Sequence, residues 1–213
     1  MTELEPEMEQ YILDHIDEED AILYELNRFT NVNMMHPRML SGHLQGKILR
    51  MLTLMIKPGT ILEIGTYTGY SAICLAQGMP AGAHLHTIEA NDELTEIPQK
   101  YFERMGLQDR ITLHVGDARE IIPTLNETFD LVFLDAEKRE YLEYYNLVFD
   151  KVSAGGFIFA DNILWSGKVL IKEDSNDYST KGIKKFNDFV KDDKRVEKVI
   201  LPIRDGLMIL RKL

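Results

Sequence analysis

Cysteine is all but absent from this chain. Its one copy, Cys74, rules out an intramolecular disulfide, and its place on the apolar face of an expected helix assigns it to packing. No apolar stretch is long enough to span a bilayer. The opening residues, MTELEPEMEQ, are acidic and lack the basic and apolar regions of a signal peptide, so the cytoplasm is the expected compartment. Basic residues are in deficit. Lys and Arg number 24 against 35 Asp and Glu, a net charge of -11, which argues against a surface that coats nucleic acid and leaves open only a small local RNA site. The six histidines show no metal-ligand spacing; His84 and His86 share one strand face and are expected to be structural. Internal repeats, low-complexity segments and the Gly-x-Gly-x-x-Gly turn of dinucleotide binders are missing as well.

What is present suits a globular protein. A length of 213 residues with 45% hydrophobic content allows one domain with a full core. The stretch Ile61 to Ser71, ILEIGTYTGYS, organises the rest: a short apolar strand, a turn bracketed by Gly65 and Gly69, then a helix. Strand, glycine turn and helix make the first unit of a doubly wound sheet, in which ligands sit beyond the carboxyl ends of the strands. The glycines permit close approach of a ligand to the backbone. Glu63, an acid inside the strand end, would repel phosphate and suit a cationic or hydroxyl-rich ligand. An ordinary βα turn whose glycines serve packing is the alternative.

The alternation continues down the chain. Further strands are expected at Ala83–Ala90, Ile111–Val115, Asp130–Leu134 and Gly156–Ala160. Helices are expected over Asp92–Met105, from Asp117 as N-cap to Leu125, over Lys138–Val152 and over Gly182–Val190. Val196–Ile203 and Gly206–Lys212 alternate and form a closing hairpin, and the polar run Lys172–Thr180 is expected as a mobile surface loop. Ahead of the first strand, Pro6–Phe29 carries a helical pattern broken at Asp17–Asp20, and Ser41 is the expected N-cap of a second amphipathic stretch. The expected fold is therefore α/β: a doubly wound, mostly parallel, seven-stranded Rossmann-like sheet with an antiparallel C-terminal strand and an N-terminal helical extension. Residues 1–58 are read as a helical substrate or dimer segment and 59–213 as the core of one domain.

Candidate site residues cluster at the strand ends. Glu89 ends the second strand, 24 residues past Gly65, where an acid in nucleotide-binding sheets accepts from ribose hydroxyls. Asp117, after the third strand, offers an acceptor to an adenine amino group, although alone it is more often only an N-cap. Asp135 and the pair Asp161-Asn162 end two further strands, 26 residues apart. Neighbouring strands lie about 4.8 Å apart, so these ends can converge. Two carboxylates and an amide oxygen form a hard donor set, for which Mg²⁺ fits best, with Ca²⁺ or Mn²⁺ as alternatives. Lys138 follows Asp135 by three, at an expected helix start; the helix dipole and a nearby cation would lower its pKa towards that of a general base. Trp165 could wall a planar substrate or serve packing.

The series LEIGTYTGYS, TIEAND, GDA and LDAEK resembles the class I S-adenosylmethionine-dependent methyltransferases. More narrowly it resembles the magnesium-dependent O-methyltransferases of the catechol and caffeoyl-CoA type, from about Pro37 to Leu210. The resemblance implies that Glu63, Gly65, Tyr67 and Ser71 hold the methionine part of the cofactor, Glu89 its ribose, and Asp117 and Ala118 its adenine. It implies that the backbone at Met39 and Leu40 touches the same molecule. Asp135, Asp161 and Asn162 would be the metal ligands, with Asp135 also beside the cofactor and in the catalytic pair with Lys138, which takes the substrate proton. The implied activity is transfer of a methyl group from S-adenosylmethionine to a metal-bound hydroxyl of a small catechol-like or phenylpropanoid-like acceptor. By the same analogy the protein is a homodimer. One rival keeps the fold and methylates a hydroxyuridine in tRNA. Another is a nicotinamide oxidoreductase, against which the glycine spacing speaks, and a third is a catalytically silent binding protein.

Overall fold

A computed structural model of the chain describes residues 6–171 and 177–213. In chain order its elements are α1 (Pro6–Asp14), α2 (Ala21–Asn33), α3 (Gly42–Ile56), β1 (Thr60–Ile64), α4 (Tyr70–Gly78), β2 (His84–Glu89), α5 (Glu96–Arg104), β3 (Ile111–Val115) and α6 (Ala118–Thr124). They continue with β4 (Phe129–Leu134), α7 (Tyr141–Phe149), β5 (Val152–Ala160), α8 (Tyr178–Asp192), β6 (Val196–Leu201) and β7 (Leu207–Lys212). Short 3-10 turns occur at Pro37–Met39, Asp92–Leu94, Lys138–Glu140 and Trp165–Leu170. The seven strands run in the order β3-β2-β1-β4-β5-β7-β6, the expected α/β sheet. β7 lies antiparallel to both β5 and β6, while β1–β4, β4–β5 and β2–β3 pair parallel.

The chain divides into two compact units. Of the described residues, the first holds 60–65 and 117–213, the second 6–59 together with 66–116. In the first, β4 is fully buried from Leu131 to Leu134, as its unbroken apolar run requires for a strand covered on both faces. Helix α8 turns Ile183, Phe186 and Val190 inward, and the Phe186 ring meets Tyr141 and Tyr145 of α7 edge-on at 5.7 and 5.9 Å. In the second unit α3 packs closely on α4. A Cβ at Gly46 would lie 2.7 Å from both Cys74 Sγ and Tyr70 Cε1, so glycine is what lets the helices approach. Cys74 is buried in that contact, as its expected packing role demands.

Several boundaries differ from the sequence reading. Helix α2 starts after Asp20, whose carboxylate caps Ile22 N–H, so the acidic run is a true break. Ser41 is not an N-cap in the usual sense: its own backbone is helical (φ -59°, ψ -39°) and its side chain makes no capping bond. Strand β5 begins at Val152, four residues before the expected Gly156, because Ser153-Ala154-Gly155-Gly156 has turn composition yet continues the strand across a register shift opposite Phe129 and Leu131. The expected helix over Lys138–Val152 starts as a 3-10 turn and becomes α-helical only at Tyr141. Of the expected loop Lys172–Thr180, residues 172–176 lie outside the described residues. Asp177 caps α8 by accepting from Ser179 and Thr180 N–H, so Tyr178–Thr180 are helical.

Candidate active site

In the first unit, parallel pairing brings three strand ends level. Ile64 of β1 pairs with Leu134 of β4, and Leu134 with Ala160 of β5. The ladder runs one residue further: Asp135 N–H donates to the Ile64 carbonyl at 2.9 Å, and Asp161 N–H to the Leu134 carbonyl at 3.0 Å. Asp135 and Asp161 thus follow directly on paired residues of adjacent strands, about 4.8 Å apart in strand spacing. Asn162 comes next, in the left-handed region (φ 59°), which asparagine tolerates better than most residues. Glu63 is fully buried within β1. Gly65 has φ +101°, and a Cβ there would overlap the Asp135 carbonyl oxygen, so the chain can leave β1 against the end of β4 only as glycine.

Lys138 lies on the 3-10 turn that follows β4. Its Nζ donates to Asp135 Oδ1 and to the Tyr141 hydroxyl, each at 2.7 Å. Side-chain exposures of 12% and 17% place the Lys138–Asp135 pair largely out of water, where such a contact is stronger than on the surface. The Tyr141 hydroxyl in turn lies 3.1 Å from the carbonyls of Leu134 and Asp161. Burial, followed by the charges of Asp135 and Asp161, pushes the Tyr141 phenol well above its ordinary value, so it stays a neutral O–H. Tyr141 escaped the sequence reading. Its one signal was the three-residue spacing from Lys138, which also fits a core tyrosine at a helix start.

Asp117 caps α6, accepting from Arg119 N–H at 2.8 Å, as expected. Its carboxylate is also bound by the Arg119 guanidinium, which holds it below the usual carboxylate range. The acceptor expected for adenine is therefore shared with Arg119, which reaches on to Glu140 at 3.2 Å. Ala118, beside it, is buried.

In the second unit the structure joins Tyr67 to Glu89. Tyr67 N–H donates to Glu89 Oε2 at 2.7 Å, and Asn91 N–H to Oε1 at 2.9 Å. Two backbone donors thus fix the carboxylate while each oxygen keeps a lone pair for a further donor. Tyr67 sits at φ 51°, and its hydroxyl donates to the His36 carbonyl. Gly69 is the N-terminal residue before α4 (φ 91°), with Ser71 buried in the first turn. Leu40 is buried and Met39 exposed, at the 3-10 turn Pro37–Met39. Among the described residues no three His, Cys, Asp or Glu side chains converge on one point. No helix among them is long and apolar enough to cross a membrane.

The seven-stranded, mostly parallel sheet is the Rossmann-like α/β fold of a methyltransferase. Within that class the chain belongs to the O-methyltransferase family, whose model matches residues 13–213. It is 33% identical over 199 residues to a catechol O-methyltransferase of Niastella koreensis, covering 91% of this chain and 89% of that protein. It is 32% identical over 182 residues to caffeoyl-CoA O-methyltransferase 5 of Nicotiana tabacum, covering 79% and 75%. Among solved structures it resembles the O-methyltransferase from Bacillus cereus in complex with SAH (TM-score 0.90, 29% identity, 97% of each chain). It likewise resembles TomG from Streptomyces achromogenes in complex with SAM (TM-score 0.89, 27% identity, 97% and 96%).

Proposed function

We propose that this protein transfers a methyl group from S-adenosylmethionine to a hydroxyl of a small catechol-like or phenylpropanoid-like acceptor. The observation that carries the reading is the Lys138–Asp135 pair at the end of β4, level with Asp161 at the end of β5. When bound, S-adenosylmethionine supplies an electrophilic methyl, whose C–S bond breaks as the C–O bond forms. Lys138 Nζ receives the acceptor's proton, which later passes to solvent. Glu89, pinned by Tyr67 and Asn91, accepts from the ribose hydroxyls. Glu63, Gly65, Tyr67 and Ser71 hold the methionine end, Asp117 and Ala118 the adenine, and the backbone at Met39 and Leu40 lies alongside. Much of the rate comes from holding two reactants in line.

Asp135, Asp161 and Asn162 fit a hard divalent cation such as Mg²⁺. Their donors are all oxygen, the set such a cation prefers, and Asp161 is buried beside the end of β4. Such a cation would supply charge that makes an acceptor hydroxyl more acidic. A single domain, a homodimer and a cytoplasmic location belong to the same reading. The tRNA hydroxyuridine alternative draws no support from the relatives' names. The test is turnover of S-adenosylmethionine with catechol and with caffeoyl-CoA. Equal amounts of methylated acceptor and S-adenosylhomocysteine are expected from at least one of them; product from neither, with methyl incorporation into bulk tRNA, would overturn the reading.

A further inference from the structure

We propose that Tyr141 is a positioning residue for Lys138, its hydroxyl holding Nζ against the backbone at the end of β4 and just past β5. The inference rests on the reading of Lys138 as the proton acceptor. Tyr141 is fully buried at the start of α7. A phenol has one hydrogen to give, and the carbonyls of Leu134 and Asp161, each 3.1 Å away, can only accept it. Towards Lys138 the Tyr141 oxygen is therefore an acceptor.

A lysine ammonium carries three hydrogens. Asp135 Oδ1 takes one and Tyr141 takes another. A lysine on its four-carbon stem otherwise rotates freely about its terminal bonds. The two carbonyls belong to the ends of β4 and β5, so the hydroxyl also ties the lysine to the backbone that carries Asp135 and Asp161. Nζ lies 4.9 Å from the Tyr141 ring centroid, a contact that phenylalanine would keep. Tyr141→Phe thus removes the hydroxyl and little else.

The experiment compares wild type, Y141F, K138M and the double variant, with S-adenosylmethionine and catechol as substrates. In Y141F, kcat should fall about 10- to 100-fold with both KM values nearly unchanged, as expected for loss of one hydrogen bond to a charged group. The double variant should be no slower than K138M, because Tyr141 acts through the lysine. A Y141F rate within two-fold of wild type overturns the inference, and so does a double variant slowed by the product of the two single losses. A K138M enzyme that keeps full kcat instead removes the base from the underlying reading, and this inference with it. A second readout needs neither substrate nor variant folding. In ¹⁵N-lysine-labelled wild-type protein, the Lys138 ammonium should exchange its hydrogens measurably more slowly than exposed lysines. Exchange at the surface-lysine rate overturns the proposed contact.

Discussion

Replacing Gly65 with alanine would put a methyl group where the structure holds a carbonyl. At φ +101° the added Cβ overlaps the Asp135 carbonyl oxygen, lies 2.7 Å from its carbon and 3.2 Å from Ala136 Cα. All three neighbours are main-chain atoms just past the end of β4, and none can swing aside as a side-chain tip would. The conformation alone costs an L residue about 1–3 kcal/mol. Forced overpacking adds about 1–3 kcal/mol, here towards the upper end. In a chain of this size each kcal/mol lowers the melting temperature by about 2–4 °C, so a loss of about 5–20 °C is expected in thermal denaturation. Because the displaced atoms belong to Asp135, turnover should also fall, by about 100-fold for an ångström of misplacement. Gly82→Ala is the matched control. Gly82 has φ +80° with nothing within 4 Å of an added Cβ, so only the conformational cost applies. A melting temperature for G65A no lower than that of G82A would refute the reasoning.

Other expectations follow from single contacts. Glu89→Gln turns an amide NH₂ towards one of the two backbone donors, Tyr67 or Asn91 N–H, costing about 1–3 kcal/mol. Calorimetry with S-adenosylhomocysteine should show a loss of affinity of about 5- to 150-fold; unchanged binding would remove Glu89 from the ribose role. Chelation of divalent ions should abolish turnover and added Mg²⁺ restore it, while activity indifferent to chelator would remove the metal. Asp193 is held well below the usual carboxylate range, chiefly by the Arg195 guanidinium, and its folded pKa is therefore depressed. The stability it contributes is full above about pH 4 and is lost as pH falls through its lower folded value. Asp193→Asn should accordingly flatten the fall of melting temperature below about pH 4, and an unaltered acid limb would count against the pair.

The parts of the fold that could be read from sequence are those where one local signal has no competitor. β4 announces itself as an unbroken apolar run from Leu131 to Leu134 because both its faces are covered, and β1 as an apolar run broken only by Glu63. Glycine and serine at the start of β5 argue for a turn; Val152 pairs with Phe129, and the regular ladder with β4 resumes at Phe157 after an irregularity in which Gly155 has φ 78°. Lys172–Thr180 read as loop because polar composition outweighed one capping aspartate, Asp177. Site acids at strand ends were visible because sheet topology dictates where such ends gather. Tyr141 was invisible for the opposite reason: its role lies in two carbonyls, Leu134 and Asp161, which no side-chain pattern can encode. Ser41 misled because a serine before an amphipathic run is a cap only if the backbone enters extended, and here it is already helical.

The placement of β7 between β5 and β6 has a bearing on biosynthesis. A nascent chain leaves the ribosome with β6 before β7, yet β6 has no neighbour in the sheet until residues 207–212 emerge. β5, likewise, waits for β7 on one side. Vectorial synthesis therefore leaves strand edges of β5 and β6 unpaired until residues 207–212 are out, and this is the interval in which chaperone protection matters most.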